Sequence, residues 1–459
     1  MLFFILSLAM DWGGTPRVLI ASNLLPNVSP EMEKPEFWIK KIQNPGRLLL
    51  TPEEIQRMNE ENLKKPNLIL CRVKVLKEEW TRGEILTLLR EDWESFGKTK
   101  EVRYGRNGTP LDESFWNRLR NNLNQTSLKE RSRMLFGLVV KETPIRVFPT
   151  KELSVDSPTD DEFDRFQQSS ISPGAPVGIY LFSKDNLWAY VQTRFIRGWV
   201  HLTDLAIAKR KSEVSDYEET KNRLIVTGNS ANIFMDPSLK HLAFLVQMGT
   251  SFPVANVTSQ GVTNNFNYTV EIPVRERNGG LAFRRAHIPA NEDIHTDFLP
   301  YTQENIARQA FKMLHQPYSW GERAQGRDCS RFIMDLFATF GILMPRNSNL
   351  QAQVGISLGQ SEGKTLEEKR GILDRAIPLA TTLRLPGHIM LYLGKDHGNH
   401  YAIHSIWGIE RYGRFGPVLE KIGKVMVSDL SLGKSGPHGS LLHRITDIRS
   451  IGVGKLNSP

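Results

Sequence analysis

The sequence predicts a multidomain α+β protein with a helical N-terminal region, two small β-barrels and a C-terminal α+β domain. Three observations lead to this prediction. A chain of 459 residues is long enough for about three domains. Helical patterns dominate residues 29–130, and short β-rich runs separated by turns follow over residues 131–292. From residue 300 onward, an apolar stripe at helical spacing, a second helical pattern and at least two strands indicate a mixed domain.

The composition is that of an ordinary globular chain, with 40% hydrophobic and 24% charged residues. The formal net charge is +9, and a basic balance of this kind suits polyanionic partners such as nucleic acid, anionic membranes or wall polymers. The sequence contains no dense Lys/Arg block and no nucleic-acid-binding motif. We therefore expect no nucleic-acid partner.

The N-terminus is apolar, because Met1 to Ala9 form a hydrophobic run that is too short to span a bilayer. Ser7 and Ala9 suit a small-residue cleavage site, although no basic residue precedes the run. We interpret residues 1–28 as the remnant of an export leader rather than as a merely adhesive terminus. No other segment has transmembrane length, so we expect no stable membrane insertion.

The next region, residues 29–130, is predicted to be a helical domain. The segment Thr51-Pro52-Glu53-Glu54 is a helix start, since Thr caps, Pro takes the first helical position and Glu closes a capping box. Residues 78–94 and 111–123 are further helical candidates, and Gly83 weakens the first. No catalytic pattern occurs here, which favours a structural or docking role.

Two small β-barrels are predicted in tandem, over residues 131–210 and 215–292. The first has four strand candidates, which are Gly137–Val140, Pro176–Leu181, Trp188–Val191 and Gly198–Val200. A faint repeat links the two barrels. Leu138–Val140 followed by Val147-Phe148 recurs at the same spacing as Leu224–Val226 followed by Ile233-Phe234.

The C-terminal domain, residues 300–459, contains a cysteine at the start of a helical pattern. Loop residues precede Cys329 and the apolar run Phe332–Phe337 follows it. Unpaired backbone N–H groups and the helix dipole at such a position favour a thiolate over a thiol. The second of the two cysteines, Cys71, lies in an apolar run and is interpreted as a small buried hydrophobe, so no disulfide framework is expected.

Two histidines downstream complete a candidate catalytic set. His388 begins a predicted strand, and a glycine-containing loop leads into a second strand that carries His404. If these strands are antiparallel neighbours, His404 can hydrogen-bond the far nitrogen of His388. A nucleophile, a base and a group that orients the base are the parts that a cysteine hydrolase needs.

A metal site is the alternative interpretation of this region, because His397, His400 and His404 are close in sequence. The loop that carries the first two is polar and glycine-rich, which favours solvation over metal binding. We therefore expect no metal and no other cofactor.

Several motifs resemble those of the NlpC-type cysteine peptidases, which cleave cell-wall stem peptides. The matching segments are Tyr318–Gly321, Asp328–Ser330, Gly341–Ser348 with Gln351, Gly387–Gly394 and Ile403-His404. The resemblance covers residues 300–420 and implies a papain-like fold. It makes Cys329 the nucleophile, His388 the base and His404 the orienting residue.

The resemblance extends upstream to multidomain members that have a helical N-terminal region and two bacterial SH3-like domains. Residues 163–200 resemble the first of these domains, which commonly closes the substrate pocket. The resemblance implies that Asp328 binds the substrate amine or amide. It also implies that the pocket for L-Ala-γ-D-Glu is lined by Ser330, Tyr318, Trp320 and Ser348, with Tyr190 as the contact from the SH3-like domain.

Two residues depart from the family pattern, since Glu322 and Arg331 stand where many members carry glycine. They leave Cys329, His388 and His404 in place but put the substrate-side geometry in question.

The function that this resemblance implies is a cysteine endopeptidase. It would hydrolyse the γ-D-glutamyl-L-diamino acid bond of peptidoglycan stem peptides or murein turnover fragments, preferring a free N-terminal L-Ala. The expected location is the periplasm or cell envelope, and a cytoplasmic recycling role fits the same chemistry. Two alternatives stay open: an amidase or acyltransferase that acts on a non-wall substrate, and a wall-binding protein with a degenerate catalytic domain.

Overall fold

The computed structural model describes residues 19–20, 24–255 and 267–452. Most of the predicted leader, including Ser7 and Ala9, lies outside these residues. Within the described ranges, no helix is both long and apolar enough to cross a membrane. The molecule combines helices with several β-sheets, which confirms the predicted fold class.

Residues 24–133 are mainly helical and contain one short strand pair. The helices are α1 (Pro35–Ile39), α2 (Pro52–Leu63), α3 (Arg82–Phe96) and α4 (Glu113–Asn122). The strand β1 (Leu19–Ile20) precedes them, and β2 (Glu79–Thr81) pairs with β3 (Arg131–Arg133). The predicted capping box of α2 is confirmed, because Glu54 N donates to Thr51 Oγ1 and Thr51 N donates to Glu54 Oε2.

These helices do not share one core. Trp38 of α1 and Ile55 of α2 pack with the apolar residues of the C-terminal domain. Ile85 of α3 and Trp116 of α4 pack instead with the first β-barrel. The region predicted as one helical domain therefore consists of two helix pairs that each extend a neighbouring core.

The first barrel is a single seven-stranded antiparallel sheet. Its strands are β4 (Leu135–Val139), β5 (Thr143–Arg146), β6 (Gln167–Ile171), β7 (Pro176–Phe182), β8 (Trp188–Gln192), β9 (Arg197–His201) and β10 (Leu205–Ile207). Their order in the sheet is β10-β4-β7-β8-β9-β5-β6. The connection between β5 and β6, residues 147–166, is long for a loop within a small barrel. Helix α5 (Lys211–Glu219) follows the barrel.

A second β-rich unit forms two smaller sheets. Its strands are β11 (Arg223–Val226), β12 (Ser230–Phe234), β13 (Leu242–Gln247), β14 (Ser251–Pro253), β15 (Tyr268–Arg275), β16 (Leu281–Ile288) and β17 (Ile294–Thr296). The orders are β14-β11-β17 and β13-β12-β16-β15. Phe252 and Ile272 are among the buried residues of the core that these sheets share.

The C-terminal domain packs helices against both faces of one sheet. Its helices are α6 (Gln303–Lys312), α7 (Cys329–Ala338), α8 (Ser348–Gln351), α9 (Leu366–Leu373) and α10 (Leu441–Arg444). Its strands are β18 (Ile356–Gln360), β19 (Thr381–Leu385), β20 (His388–Asp396), β21 (Asn399–Gly413), β22 (Gly416–Asp429) and β23 (Asp447–Ser450). The sheet order is β1-β22-β21-β20-β19-β23-β18, and β1 joins it parallel to β22.

Strand β20 shows the alternation that positions the site. Ile389 and Leu391 belong to the core that contains α7, whereas Met390 and Tyr392 belong to the core on the opposite face of the sheet. Helix α7 packs directly on β20 and β21. The start of α7 is thereby held beside the start of β20.

Candidate active site

Cys329 is the first residue of helix α7, as the sequence predicts. Asp328 caps this helix, because its Oδ1 accepts a hydrogen bond from Arg331 N at 2.9 Å. The Cys329 side chain is buried, with 7% of the residue exposed. Its sulfur lies beside the first peptide of β20, since the Ile389 N–H acts as a hydrogen-bond donor to it.

His388 and His404 meet across neighbouring antiparallel strands. His388 Nε2 lies 2.6 Å from His404 Nδ1, and His404 Nε2 lies 2.8 Å from Ser428 Oγ. The two rings are edge to face, with centroids 4.8 Å apart. The predicted strand pairing and the predicted bond to the far nitrogen of His388 are both confirmed. Ser428, on β22, extends this row of hydrogen bonds, and sequence reasoning missed it.

The electrostatics of the thiol depend on its burial. Burial, together with the adjacent Asp328 charge, raises the pKa of Cys329 to about 12. The Ile389 and Ser330 N–H groups and the Arg346 charge favour the thiolate, but they do not offset burial. The sequence expectation, that the backbone N–H groups and the dipole at the helix start favour a thiolate, takes no account of the desolvation of a buried anion, which opposes it.

Both imidazoles are neutral for the same physical reason. Burial and the positive charge of Arg444 lower the pKa of His388 to about 3. Burial and the neighbouring His388 hold the pKa of His404 well below its ordinary value. A neutral imidazole is the form that can accept a proton from a thiol.

Asp328 forms an ion pair and further hydrogen bonds within the protein. Arg346 donates from Nη1 and Nη2 to its two carboxylate oxygens at 3.2 and 2.6 Å, and Ser330 Oγ donates at 3.0 Å. Although burial pushes the pKa of Asp328 upward, the Arg346 charge holds it below its usual value. Asp328 stays a predicted ligand of the substrate amine or amide, and Arg346 is its cationic partner within the protein.

The departures noted in the sequence, Glu322 and Arg331, join the same buried cluster. Glu322 Oε2 accepts from Arg331 Nη1 at 3.1 Å, and Glu322 Oε1 is paired with Arg346. Glu322 and Arg331 are 2% and 5% exposed. These two residues therefore fill space next to Asp328 with an internal ion pair.

The other predicted pocket residues differ in their contacts, and Ser330, the second residue of α7, belongs to the ion cluster. Tyr318 is half-buried, and burial together with the charges of Asp328 and Cys329 raises its pKa, which places its hydroxyl near both. Ser348 begins α8, whose Gln351 donates to Ser330 O at 2.8 Å. Trp320 Nε1 donates to Asp164 O at 2.9 Å. The Ser330 hydroxyl accepts from Arg346 Nη1 at 2.7 Å.

Tyr190 is not at this site. It is fully buried in the first barrel, where its hydroxyl donates to Asp92 of α3 and its ring packs on Trp199. The prediction that Tyr190 contacts substrate is wrong, because strand alternation indicates burial but not which side of a barrel meets a neighbouring domain.

The first barrel reaches the site through its β5–β6 connection instead. The Phe163 ring lies 5.6 Å from Trp320 and 4.9 Å from Trp407, measured between ring centroids. Glu162 accepts from Trp407 Nε1 and Lys421 Nζ, and its charge is close enough to contribute to the raised pKa of Tyr318. The length of this connection is the sequence signal that could have pointed to these residues.

The alternative metal set is not assembled. Both nitrogens of His404 are within hydrogen-bond distance of His388 and Ser428, and His400 Nδ1 lies 2.8 Å from the Tyr392 hydroxyl on the other face of the sheet. In the ranges that the structure describes, no group of three or more His, Cys, Asp or Glu side chains is arranged to hold a metal ion.

Comparison with known proteins adds to this geometry. A curated relative, the gamma-D-glutamyl-L-lysine dipeptidyl-peptidase of Bacillus cereus, is 26% identical over 136 residues, which are 29% of this chain and 38% of that protein. The match thus spans well under half of the relative. A solved NlpC/P60 endopeptidase from Photobacterium damselae subsp. piscicida superposes with a TM-score of 0.71 at 18% identity, covering 90% of this chain and 96% of that one. At this identity the likeness shows the fold alone.

Family models match two segments of the chain. Residues 155–201, in the first barrel, match the SH3 domain of the SH3b1 type. Residues 315–410, which include Cys329, His388 and His404, match the NlpC/P60 family. The chain therefore carries an NlpC/P60 domain, and an SH3 domain of the SH3b1 type precedes it.

Proposed function

We propose that this protein is a cysteine endopeptidase that hydrolyses the γ-D-glutamyl-L-diamino acid bond of peptidoglycan stem peptides. The observation that carries the proposal is the 2.6 Å contact between His388 Nε2 and His404 Nδ1, at the start of the strand on which the Cys329 helix packs. The NlpC/P60 match and the activity named for the Bacillus cereus relative support the choice of substrate. The same substrate supports a location at the cell envelope.

We assign the tautomers that leave His388 with a free nitrogen for the thiol proton. With His388 Nε2–H donating to His404 Nδ1, and His404 Nε2–H donating to Ser428, the free nitrogen of His388 is Nδ1. In this tautomer, Nδ1 accepts the thiol proton of Cys329. His404 holds the ring in orientation and disperses the charge of the imidazolium.

The reaction then has two steps. The Cys329 sulfur attacks the γ-carbonyl carbon of D-Glu while His388 takes the thiol proton, and the backbone N–H of Cys329 at the helix start stabilises the oxyanion. The C–N bond breaks, and the imidazolium returns the proton to the departing α-amine of the diamino acid. Water, deprotonated by His388, hydrolyses the thioester and regenerates the thiol.

A preference for a free N-terminal L-Ala is the second part of the proposal. Two carboxylates could bind the ammonium group of that residue: Asp328, which is paired with Arg346, and Glu162 of the first barrel, which is paired with Lys421 and accepts from Trp407 Nε1. Glu162 is only partly buried, and the Phe163, Trp320 and Trp407 rings lie beside it. A carboxylate in that setting favours a substrate ammonium group and leaves an N-acyl group unpaired.

The test is mass-spectrometric product analysis with L-Ala-γ-D-Glu-meso-diaminopimelate. We expect the wild type to release L-Ala-D-Glu and Cys329→Ala to release none. We expect the N-acetylated peptide to be cleaved with a kcat/KM lower by about tenfold or more, because the acyl group removes the charge that Asp328 or Glu162 would bind.

Two outcomes would contradict the proposal. Equal cleavage of the free and the acetylated peptide would refute the preference for a free amine, but the proposed endopeptidase activity would stand. No cleavage of either peptide would exclude the wall substrate. An alkylatable Cys329 would then favour an amidase or acyltransferase on other amides, and an inert thiol would favour a wall-binding protein.

A further inference from the structure

Arg346 is a cation whose charge acts on the candidate nucleophile. Its guanidinium is buried, with 6% of the residue exposed, and it contacts the residues on both sides of Cys329. It donates to the carboxylate of Asp328 through both terminal nitrogens, and Nη1 also donates to Ser330 Oγ at 2.7 Å. A planar, permanently charged group thus spans the first turn of α7.

The first barrel fixes the position of this guanidinium. Arg346 Nε donates to Ser169 Oγ of β6 at 2.8 Å, and Ser169 is fully buried. Glu322, the second anionic partner of Arg346, accepts from Ser169 Oγ and from Ser170 N, each at 2.6 Å. The helix start and the barrel therefore share one set of hydrogen bonds.

The charges around the thiol oppose each other. Asp328, one residue before Cys329, disfavours a thiolate, whereas Arg346 favours it. The other ionisable groups next to Arg346 are Glu322, Arg331 and Tyr318, from the segments packed around it. Removing the guanidinium would leave Asp328 without its cation and Glu322 with Arg331 alone, and would withdraw the positive charge from the sulfur at the same time.

We propose that Arg346 is a positioning residue for the nucleophile: it holds Asp328 as the cap of α7 and supplies the positive charge that the Cys329 thiolate needs as it forms. Ser169 of the first barrel keeps Arg346 in place. The inference rests on the proposed cysteine chemistry but does not depend on which peptide is cleaved.

The experiment measures alkylation by iodoacetamide at each cysteine of the full-length chain, resolved by mass spectrometry, from about pH 6 to about pH 10. In Arg346→Gln, we expect alkylation of Cys329 to be slower by about tenfold or more at each pH, because a rise of one pKa unit removes nine-tenths of the thiolate. We expect kcat to fall by a similar factor, with KM changed by less than about twofold. Arg346→Lys keeps the charge and should restore most of the alkylation rate.

Cys71 is an internal reference in the same sample. It is a partly buried thiol whose Sγ donates to Thr193 O, and burial raises its pKa to about 12 as well. A variant that merely loosens the fold would speed the alkylation of both cysteines. The proposal requires a slower reaction at Cys329 alone.

Arg331→Gln is the matched control. It removes a guanidinium from the same buried cluster, but Arg331 pairs with Asp335 and Glu322 rather than with Asp328. We expect a comparable loss of stability and a Cys329 alkylation rate within about twofold of the wild type. A folded Arg346→Gln that alkylates as fast as the wild type would overturn the proposal.

If Arg346→Gln does not fold, Ser169→Ala decides the question, because it removes one hydrogen bond from the guanidinium and keeps every charge. A slowing of Cys329 alkylation by about threefold supports the proposal, and an unchanged rate overturns it. A wild type that cleaves no stem peptide while its alkylation depends on Arg346 would refute the proposed function alone. If the wild type cleaves the stem peptide but the alkylation rate of Cys329 does not depend on Arg346, this inference alone would be refuted.

Discussion

At the scale of single residues, the candidate site pairs a protonated thiol, Cys329, with a neutral imidazole, His388. Burial keeps the proton on Cys329 and keeps it off His388, so neither group carries charge at neutral pH. A protonated thiol is a poor nucleophile, so the base must remove its proton while the carbonyl is attacked. Substrate binding is thereby the event that makes the proton transfer productive.

This protonation state predicts the pH dependence of thiol reactivity. Because the pKa of Cys329 is raised to about 12, the thiol stays protonated below that pH and the thiolate fraction grows with pH throughout the accessible range. We expect the alkylation rate of Cys329 to rise by about tenfold per pH unit between about pH 7 and about pH 10, without a plateau. A plateau near neutral pH would show instead a preformed thiolate–imidazolium pair.

Sequence reasoning reached the local features of the site and missed the long-range ones. The start of α7 at Cys329 and the contact of His404 with His388 follow from caps, turns and strand alternation, which are local. The pairing of Arg346 with Asp328 and Glu322 joins segments that only the tertiary fold brings together. The burial that sets the thiol pKa is equally a property of the whole fold.

At the scale of elements, α7 is the buried central helix of the C-terminal domain. Almost all of its residues are buried, and its apolar side packs on β20 and β21. Phe332, one turn after Cys329, is fully buried in the main core. The helix therefore carries the nucleophile on an element that cannot shift without opening the core.

Truncation of this helix contact gives a stability prediction. We expect Phe332→Ala to lower the free energy of unfolding by about 3–5 kcal/mol, because it leaves a cavity in a close-packed core. Phe415→Ala is the matched control: Phe415 is 90% exposed at the turn between β21 and β22, and we expect a change within about 0.5 kcal/mol. Urea denaturation of both variants measures the difference, and equal losses would refute this assignment of the core.

At the scale of the whole molecule, buried polar contacts join both β units to the NlpC/P60 domain. Arg331 Nη1 donates to Ser170 O of the first barrel at 3.1 Å. Arg327, one residue before the helix cap, donates to Asn229 Oδ1 and O of the second unit at 2.6 and 2.8 Å. Groups of this kind are costly to leave unpaired, so the parts stabilise one another.

This arrangement predicts cooperative unfolding. Separation of the first barrel would expose the charges of Arg331, Arg346 and Glu322 without their hydrogen bonds to Ser169 and Ser170. In scanning calorimetry, we therefore expect the barrel and the NlpC/P60 domain to unfold in one transition. Ser169→Ala should lower the midpoint of that single transition by a few degrees, on the order of 1 kcal/mol of stability. A separate low-temperature transition that belongs to the barrel would show that the interface is weak.

The protonated and buried state of Cys329 also bears on oxidation. Peroxide attacks thiolates that solvent can reach, and the first product is a sulfenic acid. Cys329 is 7% exposed and its thiol keeps its proton at neutral pH, so peroxide meets little thiolate and little accessible sulfur. The burial that makes this thiol depend on its base therefore also slows its oxidation by peroxide.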